Sequence, residues 1–194
     1  INFSPKKQFK LTSGKKSPVY CDCRRIISFP EEREKLIDFG ISKLKEKPKF
    51  KKISNIAGGE SAGIPFAAFI AQKLNLPMTY IRKEKKKFGK NSQIEGLLNQ
   101  KDNVLLAEDL MTDGGSKLKF LDAIEKLGAN VSGIFVIFNY GIIKDYYLFK
   151  KKKIDVISLT NWSHVLNVAS RKKILKNDEV KIVESFLEKM KVKS

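Results

Sequence analysis

Residues 104–116 read VLLAEDLMTDGGS, and this stretch decides the fold of the chain. The apolar run from Val104 to Ala107 predicts a parallel strand that is buried on both faces. It leads into two adjacent carboxylates, Glu108 and Asp109, at the carboxyl end of the strand, where open α/β sheets bind ligands. Paired carboxylates can accept hydrogen bonds from two neighbouring hydroxyls, such as those of a ribose.

A glycine-rich turn follows the carboxylates and leads into a predicted helix over residues 117–127. Backbone N–H groups of such a turn can converge on an anion at the positive end of the helix. The whole stretch therefore predicts a site for a sugar ring and its phosphate, with an ordinary strand–helix junction as the alternative. It matches neither the Walker A spacing nor the dinucleotide fingerprint GxGxxG.

Beyond residue 50 the apolar pattern alternates between strand-like and helix-like segments. Gly128 is expected to end the helix over residues 117–127. The alternation predicts an α/β fold with a mostly parallel central sheet flanked by helices. Strands are predicted at 53–57, 78–82, 104–107, 131–138 and 154–159, and helices at 64–74, 117–127 and, as an apolar stripe, 180–190.

The amino-terminal part follows a different pattern. Residues 9–11 and 19–23 flank the turn SGKKSP and predict a hairpin or small hood outside the main sheet, and residues 31–47 predict a helix. The length of 194 residues suits a single domain, 1–194. We expect residues 1–30 to form the hood and residues 50–160 to form the ligand-binding core.

Composition narrows the class of function. The formal net charge of +18 comes mainly from lysine runs spread over several segments with little aromatic interleaving, so nucleic-acid binding is not expected to be the main function. No stretch approaches the ~18 apolar residues of a membrane span, and the first residues lack the apolar core of a signal peptide. Cys21 and Cys23 are too close together to staple the fold, and a cytoplasmic location is expected.

Two further segments suit anionic ligands. Residues 58–63, GGESAG, let the backbone approach an anion closely, although a tight strand–helix junction would need the same small residues. Residues 82–90 place five lysines and one arginine within nine positions. These charges repel one another unless an anion neutralises them, and a solvated basic loop is the alternative interpretation.

Together with the segment LTSGKKSPVYCDCRRIIS at residues 11–28, these motifs resemble, in order, those of the orotate phosphoribosyltransferase family of type I phosphoribosyltransferases. Residues 104–116 are similar to its signature for phosphoribosyl pyrophosphate (PRPP). Residues 56–71 resemble its pyrophosphate loop with the following helix, and residues 80–96 its mobile catalytic loop. The resemblance adds detail to the predicted fold, in which the hood binds the base and the core binds PRPP.

The resemblance also implies a reaction. Ribose 5-phosphate would pass from PRPP to orotate and give orotidine 5′-monophosphate and pyrophosphate, a step of pyrimidine synthesis. Mg²⁺ would be held mainly through PRPP, with no direct protein ligands. The family further implies a homodimer in which the loop 83–93 reaches the neighbouring site.

Roles for individual residues follow from the same resemblance. Glu108 and Asp109 would hold the ribose hydroxyls, and Lys83, Lys86 and Asp109 would be the catalytic residues. Orotate would contact Tyr20, Cys21, Arg24 and Thr112. The other contacts to PRPP would come from the pyrophosphate loop, the basic loop and the glycine-rich turn: Glu60, Ser61, Ala62, Gly63, Arg82, Lys83, Lys86, Thr112, Asp113, Gly114, Gly115 and Ser116.

The chain departs from the family pattern at several positions. Phe88 stands where a loop histidine is usual, Thr12 where a lysine commonly precedes Ser-Gly, and Ala62 where a lysine is frequent. No arginine lies between residues 83 and 170, where many members carry one that contacts orotate. The orotate carboxylate must then be met by backbone N–H groups around Tyr20 and Cys21 or by one of four cations: Lys15, Lys16, Arg24 or Arg25.

Two other functions stay open at this point. One is a type I phosphoribosyltransferase for another base, such as a purine, and the hood segment and the RKE…IEG loop argue against it. The other is a non-catalytic PRPP-sensing regulator that binds nucleic acid through its lysine-rich faces. Lys83 and Lys86 argue against the regulator, whereas Phe88 keeps it open.

Overall fold

The computed structural model describes residues 2–11, 14, 16–84, 92–112, 114–141 and 149–192. The strands, in chain order, are β1 (Asn2–Phe3), β2 (Phe9–Lys10), β3 (Lys16–Ser17), β4 (Val19–Tyr20), β5 (Asn55–Gly59), β6 (Met78–Ile81), β7 (Ile94–Glu95), β8 (Asn103–Met111), β9 (Asn130–Asn139) and β10 (Val156–Asn161). The α-helices are α1 (Pro30–Lys45), α2 (Gly63–Leu74), α3 (Gly115–Lys126), α4 (Trp162–Arg171) and α5 (Asn177–Val192), and 3-10 helices cover Cys23–Ser28 and Pro48–Lys52. Within these residues no helix is long and apolar enough to cross a membrane.

The central sheet contains β5 to β10 in the order β10-β9-β8-β5-β6-β7. Neighbours from β10 to β6 run parallel, and the short β7 pairs antiparallel with β6 at its edge. The pairing of β8 with β9 is continuous from Asn103 opposite Asn130 to Met111 opposite Asn139, apart from one register shift after Val104. The predicted α/β fold with a mostly parallel sheet is therefore confirmed.

Helices cover both faces of the sheet because its central strands are apolar on both sides. On one face, Leu105 and Phe135 belong to a core cluster with residues of α1, α2, α4 and α5. On the other face, Leu106 belongs to a second cluster with Leu121 and Ile124 of α3. Successive residues of β8 thus face different helices, as the period of two in a strand requires.

The elements predicted beyond residue 50 are present, with shifted ends. Gly128, with a φ of 80°, follows α3 and donates its N–H to the Glu125 carbonyl at 2.9 Å, as expected of a residue that ends a helix. The largest difference concerns β8, which was predicted over residues 104–107 and extends to Met111 because its ladder with β9 continues that far. Glu108 and Asp109 are consequently strand residues.

The amino-terminal segment forms two small antiparallel ladders outside the central sheet, β1 with β4 and β2 with β3. The predicted pairing of residues 9–11 with 19–23 is wrong in register. The chain already reverses at Gly14, whose φ is 78° and whose N–H donates to the Leu11 carbonyl, so that β2 meets β3 first. Cys23 begins a 3-10 helix and does not lie in a strand.

Replacement of Phe135 by alanine tests the packing of the sheet on its helices. Phe135 is 0% exposed at the centre of β9, and we expect Phe135→Ala to lower the free energy of unfolding by about 3–5 kcal/mol through lost burial and a cavity. The matched control is Phe39→Ala on α1, where Phe39 is 66% exposed and the cost should be below about 0.5 kcal/mol. Urea unfolding followed by circular dichroism measures both, and equal costs would contradict the described core.

Candidate active site

The two adjacent carboxylates of β8 are buried and lie on opposite faces of the sheet. Glu108 is 4% exposed and Asp109 is 7% exposed. Glu108 shares the face of Leu106, which packs with α3, whereas Asp109 shares the face of Leu105 and Ala107. The two carboxylates therefore point to the two sides of one strand end, because β8 extends beyond its predicted end and its side chains alternate between the faces of the sheet.

Glu108 forms a buried ion pair with Lys117 of α3. Its Oε2 lies 3.1 Å from the Lys117 Nζ, and Lys117 itself is 8% exposed. Burial raises the pKa of the Glu108 carboxyl to about 7 against the opposing charge of Lys117, and the neighbouring Asp109 charge adds to the rise. The buried Oε1 has no hydrogen-bond partner among the described residues.

The unpartnered oxygen of Glu108 faces the junction between β5 and α2. A Cβ on Gly59 would lie only 1.8 Å from it, and a Cβ on Gly63 would lie 3.2 Å from it. Glycine at position 59 is therefore needed to make room for this carboxylate, and a side chain at position 63 would touch it closely. Glycine at these two positions brings the acidic end of β8 directly against the predicted pyrophosphate loop.

Asp109 lies on the side of the amino-terminal segment. Burial raises the pKa of its carboxyl, and a hydrogen bond from the Leu110 backbone and the charges of Lys117 and Arg24 oppose that rise. Asp109 is also close enough to Cys21 and Cys23 to raise the pKa of a thiol there. This carboxylate thus faces the predicted base-binding segment.

The glycine-rich turn connects β8 to the amino-terminal end of α3. Thr112 follows β8 and Gly114 is the residue before the helix, with a φ of 75° that favours glycine. Gly115 and Ser116 lie exposed in the first helical turn, where an anion is favoured by the helix dipole. Asp113 lies outside the described residues.

The predicted pyrophosphate loop runs from Glu60 to Gly63 between β5 and α2. Its first peptide bond, between Glu60 and Ser61, is cis. Ser61 is exposed, Ala62 is half-buried, and a Cβ on Gly63 would lie 2.5 Å from the Ala107 carbonyl. The loop therefore packs closely on β8 while its centre remains accessible.

The first residues of the predicted basic loop form hydrogen bonds with the pyrophosphate loop and with the segment that follows the basic loop. The Lys83 backbone N–H donates to Glu60 Oε2 at 2.8 Å. The Arg82 backbone N–H donates to the Gln93 carbonyl at 2.8 Å, and the Gln93 side chain donates back to the Arg82 carbonyl at 3.0 Å. Lys83 is exposed, and its charge lowers the pKa of Glu108. Lys86 and Phe88 lie outside the described residues.

The predicted orotate segment is held together by Arg24. Its Nη2 donates to the Tyr20 hydroxyl at 2.7 Å, and its Nε lies 3.1 Å from Asp22 Oδ1. Cys21 is buried with its Sγ 3.6 Å from that of Cys23. Four cations were named from the sequence as possible contacts of the orotate carboxylate. Among them, the charge of Arg24 lowers the pKa of Asp109, whereas Lys15 lies outside the described residues.

Two buried residues near the site were missed by the sequence analysis. Lys117 precedes Phe120, Leu121 and Ile124 at helical spacing, and a lysine on that apolar stripe was the signal for a buried cation. Tyr140 follows β9, meets the Cys21 backbone with its hydroxyl and packs edge-on against Trp162. No sequence pattern distinguishes this tyrosine from an ordinary core aromatic residue.

Titration of Glu108 provides a direct test of its burial. We expect the carboxyl to titrate near pH 7 in the folded protein rather than near its ordinary 4.5, because burial outweighs the attraction of Lys117. Because the pKa of Glu108 is higher in the folded than in the unfolded protein, the protonated carboxyl stabilises the fold below about pH 4.5. This stabilisation is lost progressively as the pH rises from about 4.5 to about 7. The side-chain carboxyl ¹³C shift measures the midpoint, and Glu108→Gln identifies the resonance. A midpoint near 4.5 would show that the ion pair dominates.

Comparison with known proteins agrees with this geometry. Residues 30–169 match the family model described as a phosphoribosyl transferase domain. Orotate phosphoribosyltransferase of Rhizobium rhizogenes is 44% identical over 188 residues, which cover 96% of this chain and 81% of the relative. That of Cereibacter sphaeroides is 45% identical with the same coverage.

A solved structure agrees as well. The crystal structure of orotate phosphoribosyltransferase from Aeropyrum pernix has a TM-score of 0.72 and 27% identity, and the match covers 82% of this chain and 88% of that one. Phosphoribosyl transfer therefore explains why the acidic strand end, the glycine-rich helix start and the small-residue loop meet in one place. On these matches, the chain belongs to the orotate phosphoribosyltransferase family.

Proposed function

We propose that this chain transfers ribose 5-phosphate from PRPP to N1 of orotate, giving orotidine 5′-monophosphate and pyrophosphate in pyrimidine synthesis. The observation that carries the proposal is the position of the two carboxylates at the end of β8: Glu108 meets the β5–α2 junction and the start of α3, and Asp109 faces the amino-terminal segment. Relatives that are 44–45% identical over 96% of the chain bear the name of this activity.

The proposed transition state is oxocarbenium-like at C1′, as in glycosyl transfer generally. The protein then has to hold the ribose, orient the base and neutralise the leaving group rather than form a covalent bond. Glu108 and Asp109, with acceptor oxygens at the end of β8, suit the ribose hydroxyls. Thr112 and the exposed residues Gly115 and Ser116 suit the 5′-phosphate.

The leaving pyrophosphate would lie along residues 60–63 and meet Arg82 and Lys83. The hydrogen bond from Lys83 to Glu60 supports this proposal because it joins the two segments that would share the anion. Lys86 would complete the cationic set from the loop 83–93. We further propose a homodimer in which that loop closes over the neighbouring site and excludes water that could hydrolyse PRPP.

Mg²⁺ would enter with PRPP, whose pyrophosphate and hydroxyl oxygens are the hard ligands that this ion prefers. Among the described residues, no group of three or more His, Cys, Asp or Glu side chains is arranged to hold a metal ion. In this proposal Glu108 and Asp109 would bind the ribose hydroxyls, and those hydroxyls would in turn bind the ion. When bound, Mg²⁺ would offset negative charge on the departing pyrophosphate.

Orotate would lie against Tyr20 and Cys21, with Thr112 at its edge. Arg24 is the cation that we propose for its carboxylate. The support is local: Arg24 is fixed by Tyr20 and Asp22, and its positive charge acts on the Asp109 carboxyl. An arginine in this segment would take the place of the family arginine that is absent between residues 83 and 170.

The primary test follows orotate consumption by its ultraviolet absorbance, with PRPP and with or without Mg²⁺. We expect turnover with orotate, none with adenine, hypoxanthine or uracil, and loss of turnover after chelation of Mg²⁺. Asp109→Asn should lower kcat/KM on the order of 10²-fold because it removes a charge that stabilises the transition state. Asp178→Asn, at an exposed site on α5, is the matched control. PRPP binding without turnover of any base would point to the PRPP-sensing regulator.

A pair of arginine variants tests the proposed carboxylate contact. Arg24→Gln should raise KM for orotate about tenfold to a hundredfold, the usual loss for a hydrogen bond to a charged group. KM for PRPP should change little. Arg171→Gln, at an exposed position that ends α4, is the control. Steady-state kinetics with each substrate varied in turn measures the effect, and equal KM values for orotate in both variants would exclude Arg24.

A further inference from the structure

The buried ion pair between Lys117 and Glu108 has a role beyond the contacts described so far. The Lys117 side chain is 10% exposed and that of Glu108 is 5% exposed, so neither charge is screened by solvent. Replacing such a pair by apolar residues is often neutral or stabilising, so a buried ion pair is weak evidence for a contribution to stability. Its place at the strand end, beside the pyrophosphate loop, points instead to the ligand.

The two oxygens of the Glu108 carboxylate have different surroundings. Oε2 is held by the Lys117 Nζ at 3.1 Å, whereas the buried Oε1 has no hydrogen-bond partner among the described residues and faces Gly59 and Gly63. A buried acceptor without a partner is costly unless a ligand supplies the donor. A hydroxyl at this strand end would be such a donor.

We propose that Lys117 is a positioning residue for PRPP: it holds the Glu108 carboxylate at the end of β8 in the orientation in which that carboxylate accepts a ribose hydroxyl. This inference rests on the proposed function. Lys117 lies in the first turn of α3, where its backbone N–H donates to the Gly114 carbonyl at 2.8 Å. The segment proposed to bind the 5′-phosphate therefore also carries the cation that prepares the ribose contact.

The charges around Glu108 set the pH dependence of this contact. Lys117 of α3 and Lys83 beyond β6 lower the pKa of Glu108, whereas Asp109 of β8 and burial raise it. PRPP affinity should therefore increase as pH rises through about 7, when the carboxyl ionises. Loss of Lys117 removes a lowering charge, so the increase should move to higher pH.

The experiment compares Lys117→Met with Lys119→Met, an exposed position on the same helix. Calorimetry with PRPP, and separately with inorganic pyrophosphate, measures binding from about pH 6 to about pH 8. Lys117→Met should weaken PRPP binding about tenfold to a hundredfold and shift its pH dependence upward, while pyrophosphate, which has no hydroxyl, binds as in the wild type. Lys119→Met should behave as the wild type throughout.

Other results would overturn the inference. Equal weakening of PRPP and pyrophosphate, with an unmoved pH dependence, would make Lys117 a direct contact of the phosphates or a purely structural residue. Unchanged PRPP binding would exclude the role altogether. Failure of the wild type to bind PRPP would instead remove the proposed function, so the two failures are distinguishable.

A double variant keeps the test decisive if Lys117→Met folds poorly. The double variant Glu108→Gln with Lys117→Met removes both charges, so that no unpaired charge stays buried at this position. If Lys117 acts only through Glu108, the double variant binds PRPP as Glu108→Gln does. An additional loss in the double variant would show that Lys117 acts on the ligand by another route.

Discussion

Burial of two adjacent carboxylates at the end of β8 is the constraint on which the site depends. A charged group buried without compensation is costly, and the pleat of the strand sends Glu108 and Asp109 to opposite faces, so each needs its own compensation. Glu108 obtains it from Lys117 of α3, and Asp109 obtains it from a backbone hydrogen bond and from the charges of Lys117 and Arg24. The acidic pair thereby links the sheet to α3 on one side and to the amino-terminal segment on the other.

The separation of Glu108 and Asp109 onto opposite faces places the two reactants of the proposed reaction on opposite sides of the strand end. Gly59 at the end of β5 and Gly63 of the pyrophosphate loop lie on the Glu108 side, and the segment proposed for the base lies on the Asp109 side. A ribose over the strand end would have its leaving group on one side of C1′ and its nucleophile on the other, the geometry that a displacement at an oxocarbenium-like carbon requires. The alternation of one strand would thus separate the two reactants.

Most strands and helices beyond residue 50, and the position of the glycine-rich turn directly after the acidic strand, could be predicted from sequence, because apolar periodicity and the glycine-rich turn are local signals. The strand β7 and the helix α4 were not predicted. The register of the hood could not be predicted, because the pairing of β1 with β4 joins distant segments and leaves no local pattern. The burial of Lys117 was also missed. Its position on the apolar stripe of α3 was visible, but its partner became evident only when β8 was found to extend to Met111.

The two glycines that open GGESAG show why the same motif fits both a bland and a functional interpretation. A Cβ on Gly58 would lie 2.8 Å from the Ile64 Cα and 2.9 Å from the Ala67 Cβ, so glycine there serves the packing of α2. A Cβ on Gly59 would instead occupy the space of the Glu108 carboxylate. Close packing and room for a buried acid thus account for both positions without an anion. Close approach of the loop to pyrophosphate must then depend on the centre of the loop, where Ser61 is exposed and Ala62 is half-buried.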